Sequence, residues 1–118
     1  MRILLVEDHE DTNRSLTRLL RRRGYHVQSA TSLQTALELS AKDEFDVLIS
    51  DLGLPDGNGI DLMMQLSHDY GLRGIALSGY GMAEDLARTQ QAGFLAHLVK
   101  PINFDQLNRA LQQFVPAA

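Results

Sequence analysis

The sequence predicts an α/β fold, a doubly wound five-stranded parallel sheet with helices on both faces. Three observations lead there. Short apolar runs alternate with segments whose apolar residues recur at helical spacing, and the alternation repeats five times in 118 residues. The first of these runs, Ile3 to Val6, is continuous rather than alternating, as a strand covered on both faces should be. Finally, the hydrophobic fraction of 44% and the length suit one domain with a single buried sheet. Strands separated by helices pair in parallel through right-handed crossovers.

Each element can be justified in turn. Ile3 to Val6 is the first strand. Leu16, Leu19 and Leu20 follow at helical spacing, with Arg14, Arg18, Arg21 and Arg22 on the other face and Gly24 at the helix end. A short strand over His26 to Ser29 precedes a helix marked by Leu33, Ala36 and Leu37. Asp46 to Ser50 is the third strand, and Ile60, Met63 and Met64 mark the third helix. The fourth strand covers Arg73 to Ser78, with Ala83, Leu86 and Ala87 in the helix behind it and Gly93 closing that helix. The fifth strand is Leu95 to Val99; Phe104, Leu107, Ala110, Leu111 and Phe114 carry the last helix. Asp11 is placed to help cap the first helix, and Asp56, Gly57, Asn58 and Gly59 read as turn chemistry.

Composition excludes several functions. Lys and Arg total 11 against 15 Asp and Glu, a net charge of −4, so nothing global draws the chain to nucleic acid or an anionic membrane. Arg21, Arg22 and Arg23 stand where the first helix ends and complement its dipole rather than bind a phosphate backbone. With no cysteine, disulfides, thiolate catalysis and cysteine-bound metals are out. The apolar runs are far too short for a membrane span. Met1 leads directly into a strand and leaves no room for a signal peptide, so a cytoplasmic protein is expected. No internal repeat or low-complexity segment is present.

In a doubly wound sheet ligands sit beyond the carboxyl ends of the strands. Those ends carry Glu7 and Asp8, then Asp51, Ser78, and Lys100 followed by Pro101. Read alone, Asp51 is a cap or turn residue, Ser78 a loop serine and Lys100 a surface charge; in register they form a set. Three crowded carboxylates should raise one another's pKa unless a counter-charge intervenes. A hard divalent cation such as Mg²⁺ provides one. A carboxylate nucleophile, a metal, a lysine and a hydroxyl suit phosphoryl chemistry through an acyl phosphate, with Asp51 the central acid.

The motifs "VEDHED", "ISDLGLPDGNG", "ALSG" and "LVKP", in this order and spacing, resemble the receiver domain of two-component response regulators over essentially the whole chain, 1–118. The resemblance implies the flavodoxin-like strand order 2-1-3-4-5 and a phosphoacceptor in a phosphorelay. It makes Asp51 the phosphorylated residue. Asp8, Asp51 and the Gly53 backbone carbonyl would hold Mg²⁺, with Glu7 acting through water and Mn²⁺ able to substitute. Ser78 would be the switch hydroxyl, Lys100 would pair with the phosphoryl group, and the Lys100–Pro101 bond would be cis. The phosphoryl donor would be a histidine kinase or histidine phosphotransfer domain, and the domain itself a monomer or weak homodimer. It would phosphorylate and dephosphorylate itself without being an enzyme in the usual sense, either as a stand-alone receiver or within a hybrid histidine kinase.

Two departures stand out. Position 97 usually holds Tyr or Phe and here is His97; facing inward it joins the switch, facing outward it is inert, and the resemblance favours the inward position. Leu54-Pro55 replaces the usual Met-Pro, a volume-conserving change. Tyr80 either shields the pocket mouth or is an ordinary loop aromatic. His9, His26 and His68 lack paired metal spacing and read as solvated or packing residues.

Two rival functions are weaker. A flavin site on the same sheet order wants a glycine- and hydroxyl-rich phosphate loop after the first strand, where "EDHED" stands instead. A Mg²⁺-dependent phosphatase places a general acid two residues after its nucleophile, and that position is Gly53.

Overall fold

The computed structural model describes residues 1–79 and 86–114. In chain order the elements are β1 (Arg2–Val6), α1 (Glu10–Arg22), β2 (His26–Ala30), α2 (Leu33–Lys42), β3 (Val47–Asp51), β4 (Gly53–Leu54), β5 (Gly57–Asn58), α3 (Gly59–Tyr70), β6 (Gly74–Ser78), α4 (Leu86–Ala92), β7 (Phe94–Val99) and α5 (Phe104–Leu111), with a 3₁₀ turn at Gln112–Phe114. The five long strands form one parallel sheet in the order β2-β1-β3-β6-β7, which is the expected order with β6 and β7 as fourth and fifth strands.

Successive residues of each strand point to opposite faces, and the core divides accordingly. Ile3, Leu5, Ile49 and Ile75 pack with Leu16 and Leu20 of α1 and Leu107 and Leu111 of α5. Leu4, Val6, Leu48 and Ala76 pack on the other face with Ala36 of α2, Leu62, Met63 and Leu66 of α3 and Ala92 of α4. Ser32, Asn58 and Asn103 cap α2, α3 and α5 through their side chains. Gly24 and Gly93 turn the chain out of α1 and α4 with φ of 92° and 125°, a conformation glycine adopts without strain.

Several sequence expectations need correction. Met64 is 55% exposed, because the buried stripe of α3 runs through Ile60, Leu62, Met63 and Leu66. Ala87 is also exposed; among the residues of α4 whose side chains are described, Thr89 and Ala92 are buried. Ala83 and Tyr80 lie outside the described residues. Asp11 sits in the first turn of α1 near its positive end but caps nothing: the N-cap is His9, with no side-chain cap bond. Of the residues read as turn chemistry, Asp56 lies in the turn that joins β4 to β5, whereas Gly57 and Asn58 form β5 and Gly59 opens α3. Among the described residues no helix is long and apolar enough to cross a membrane.

Candidate functional site

β1 and β3 lie side by side at the centre of the sheet, so their carboxyl ends deliver Glu7, Asp8 and Asp51 to one place. The backbone there is held tightly. Asn13 of α1, 7% exposed, donates its amide to the carbonyls of Glu7 and Ala30 at 3.0 and 3.1 Å, fixing the end of β1. The Ser50 hydroxyl donates to the Asp51 carbonyl at 2.8 Å. The Gly59 amide donates to Leu52 O at 2.9 Å, so α3 starts against the chain just beyond Asp51. On the neighbouring strands, Lys100 N donates to Ser78 O at 2.8 Å, and the Lys100–Pro101 peptide bond is cis.

The charges then assemble around Lys100. Its Nζ lies 2.7 Å from Asp51 Oδ2 and 2.7 Å from Glu7 Oε1. Both acids are buried, and Glu7 Oε2 has no hydrogen-bond partner. One ammonium thus faces two buried carboxylates, with Asp8 at the rim. Burial, together with the neighbouring Glu7, pushes the Asp51 pKa up to about 8 against the pull of Lys100. Burial works against the Lys100 charge, but the Asp51 and Glu7 carboxylates outweigh it and hold the lysine pKa above its ordinary value.

The three carboxylates do not raise one another equally, which corrects the sequence expectation. Asp8 is exposed, and what desolvation it suffers is outweighed by hydrogen bonding with Asp51, its own backbone and Glu7, and by the nearby His9, so its pKa falls below the usual value. An acid at the wet rim keeps its charge, and the buried Asp51 bears the repulsion.

Ser78 is fully buried, and its hydroxyl is hydrogen-bonded to His97 Nε2. His97 therefore faces inward, toward the site. Partial burial of the ring lowers its pKa. Gly53 opens the β4–β5 hairpin two residues beyond Asp51. Tyr80 lies outside the described residues.

Three contributors were missed in the sequence. Asp56 accepts from the amides of Leu33 and Gln34 at 2.8 and 3.0 Å, tying the hairpin to the start of α2, and these bonds lower its pKa. Asn13 could have been suspected, since it lies three and seven residues before Leu16 and Leu20, a polar residue on the buried face of its helix. His9, set aside for lack of metal spacing, lies with Glu7 and Asp8 in a group whose potential ligand atoms are all within 4.8 Å of one another. His26 and His68 are exposed.

The arrangement suits a divalent cation. Glu7 presents a buried, unpartnered oxygen, and among the described residues Lys100 contacts two acids, Glu7 and Asp51, while Asp8 stands at the rim. Oxygen donors of this kind favour hard ions such as Mg²⁺.

Comparison with known proteins agrees with the geometry. The family model of the response regulator receiver domain matches residues 3–112. The two-component response regulator ARR10 of Arabidopsis thaliana is 34% identical over 98% of this chain, which spans 21% of that protein's length. The sporulation initiation phosphotransferase F of Bacillus subtilis is 27% identical over 98% of this chain and 94% of its own length. Among solved structures, the non-phosphorylated HemR receiver domain of Leptospira biflexa superposes with a TM-score of 0.88 at 30% identity, covering 99% of this chain and 95% of that one.

Proposed function

Since the chain belongs to the response regulator receiver domain family, we propose that Asp51 is its phosphoacceptor and that residues 1–118 act as one receiver unit. The observation that carries this reading is the Lys100 ammonium held 2.7 Å from the Asp51 carboxylate in a pocket that also holds Glu7. Asp51 Oδ2 is occupied by Lys100, which leaves Oδ1 for attack on phosphorus. The new O–P bond forms as the N–P bond of a phosphohistidine breaks, and the departing imidazole keeps the electron pair of that bond. Asp8, Asp51 and the Gly53 carbonyl would hold Mg²⁺ or Mn²⁺, with Glu7 acting through water. Such an ion would neutralise phosphoryl oxygens and would favour the ionised form of Asp51. Lys100 meets the charge gathering on the transferred group. With no second substrate, the protein catalyses only its own phosphorylation and dephosphorylation. Its donor is a histidine kinase or a histidine phosphotransfer domain in the cytoplasm, and it acts as a monomer or weak homodimer.

Metal binding is tested by thermal unfolding. Mg²⁺ at about a hundredfold excess over its Kd should stabilise the wild type by ~2.7 kcal/mol. Asp8→Asn should lose most of that gain. An equal Mg²⁺ effect in both proteins would remove Asp8 from the metal site.

Where His97 Nε2 is the acceptor, Ser78 cannot give its one hydrogen to both the ring and a phosphoryl oxygen. Phosphorylation should therefore exchange the Ser78–His97 bond for a Ser78–phosphoryl bond and free the imidazole to report the change along β7. His97→Phe should leave phosphorylation of Asp51 intact while altering this response. The pH dependence follows from the lowered pKa of the ring, 6.5 in its ordinary state. The unfolded chain takes up the proton first, so stability contributed by neutral His97 is present above that value and is lost as pH falls below it. NMR spectra recorded from about pH 8 to 5.5, a span that brackets ordinary histidine, should show resonances of α4 and β7 shifting in the wild type and static in His97→Phe. Identical pH responses would make His97 a bystander.

A further inference from the structure

His9 stands at the junction of β1 and α1. Its backbone carbonyl opens the helix by accepting from Asn13 N at 2.9 Å, and its side chain makes no cap bond. The imidazole therefore does not cap the helix. It is 77% exposed, with Nδ1 3.9 Å from Asp8 Oδ1. Beside it lie the Asp8 and Glu7 carboxylates, all potential ligand atoms within 4.8 Å of one another. Glu7 supplies an independent sign of a ligand: it is wholly buried, and its Oε2 has no hydrogen-bond partner.

We propose that Glu7, Asp8 and His9 form a mixed oxygen–nitrogen site for a late first-row divalent cation, Ni²⁺ or Zn²⁺, that excludes Mg²⁺ by taking Asp8. The inference rests on the reading of the acidic pocket as a cation site and adds a regulator to it. Mg²⁺ prefers oxygen ligands and keeps several waters, so an imidazole gives it little. Ni²⁺ and Zn²⁺ bind imidazole well and stand above the earlier ions in intrinsic affinity. His9 thus strengthens the site for one class of ion only. Turning an exposed ring toward its neighbours requires no repacking. Because Asp8 serves both ions, the late metal should antagonise Mg²⁺-dependent phosphorylation.

The test uses the untagged full chain, stripped of metal, in a single buffer of fixed pH. Ni²⁺ and Mg²⁺ are titrated separately by calorimetry into wild type, His9→Gln and Asp8→Asn. His9→Gln should weaken Ni²⁺ binding on the order of tenfold or more, since outer-sphere changes alone produce losses of that size. Its Mg²⁺ affinity should change much less than its Ni²⁺ affinity. Saturating Mg²⁺ should raise the apparent Ni²⁺ Kd of the wild type, and Ni²⁺ should broaden the ring resonances of His9. Equal Ni²⁺ affinity in wild type and His9→Gln overturns the proposal, as does simultaneous binding of both ions. Asp8→Asn separates the two readings. If it keeps full Mg²⁺ affinity, the Mg²⁺ assignment fails, while the comparison of wild type with His9→Gln still decides the nitrogen ligand.

Discussion

Asp51→Asn should stabilise the metal-free protein by about 2–3 kcal/mol at pH 8 while abolishing its phosphorylation. The stability effect follows from the carboxyl's raised pKa, about 8 in the fold against 3.8 ordinarily. Between those values the folded state holds a proton that the unfolded chain has released. Stability is therefore full below the lower value and falls as pH rises through the window to the upper one. A tenfold change in an acid's dissociation constant corresponds to about 1.4 kcal/mol; the expected gain is set below the full product because the substitution also removes a partner of Lys100. The asparagine keeps the shape and removes the buried charge, leaving Lys100 with Glu7 alone. Urea unfolding of metal-free wild type and variant from about pH 5 to pH 8, inside that window, should show the wild type losing stability and the variant holding level. Parallel curves would mean that Asp51 is ionised at no cost in the metal-free fold.

Gly59→Ala should destabilise the fold by about 3 kcal/mol or more, at or beyond the upper end of ordinary overpacking. A Cβ on Gly59 would lie 2.1 Å from the Asp51 carbonyl oxygen and 3.0 Å from Ser50 Oγ. The obstacle is main chain, which cannot rotate aside, so either α3 backs away or Asp51 moves. Gly53→Ala is the matched control. A Cβ there meets nothing within 4 Å, and only its backbone carbonyl is assigned to the metal. That variant should keep its urea midpoint and its Mg²⁺ response. Equal midpoints for Gly59→Ala and wild type would show that the start of α3 is not pressed against the phosphoacceptor strand.

Much of this was legible in the sequence. A parallel strand buried on both faces leaves an unbroken apolar run, as at Ile3 to Val6, so strands could be read. Their order came with the resemblance to receiver domains, and the site residues stand where the strands end. Tertiary detail was less legible. Helical spacing marked Met64 as inward, but Leu62 and Leu66 shift the buried stripe and leave it exposed. The clamp made by Asp56 joins residues 23 and 22 positions apart, a contact no local pattern announces. The unequal charge on Asp8 and Asp51 depends on which carboxyl is buried, and both are simply acids at strand ends in the sequence. His97 could face either way until its bond to Ser78 was located.

The central claim is that Asp51 takes a phosphoryl group with the help of a divalent cation. Intact-mass spectrometry after incubation with acetyl phosphate tests it most directly, followed by peptide mapping of the modified protein. With Mg²⁺ the wild type should gain one phosphoryl group, carried by the peptide containing Asp51. EDTA should prevent the gain, and Asp51→Asn should show none in either condition. A phosphoryl group on Asp51→Asn, or one acquired by the wild type equally well in EDTA, would contradict the account.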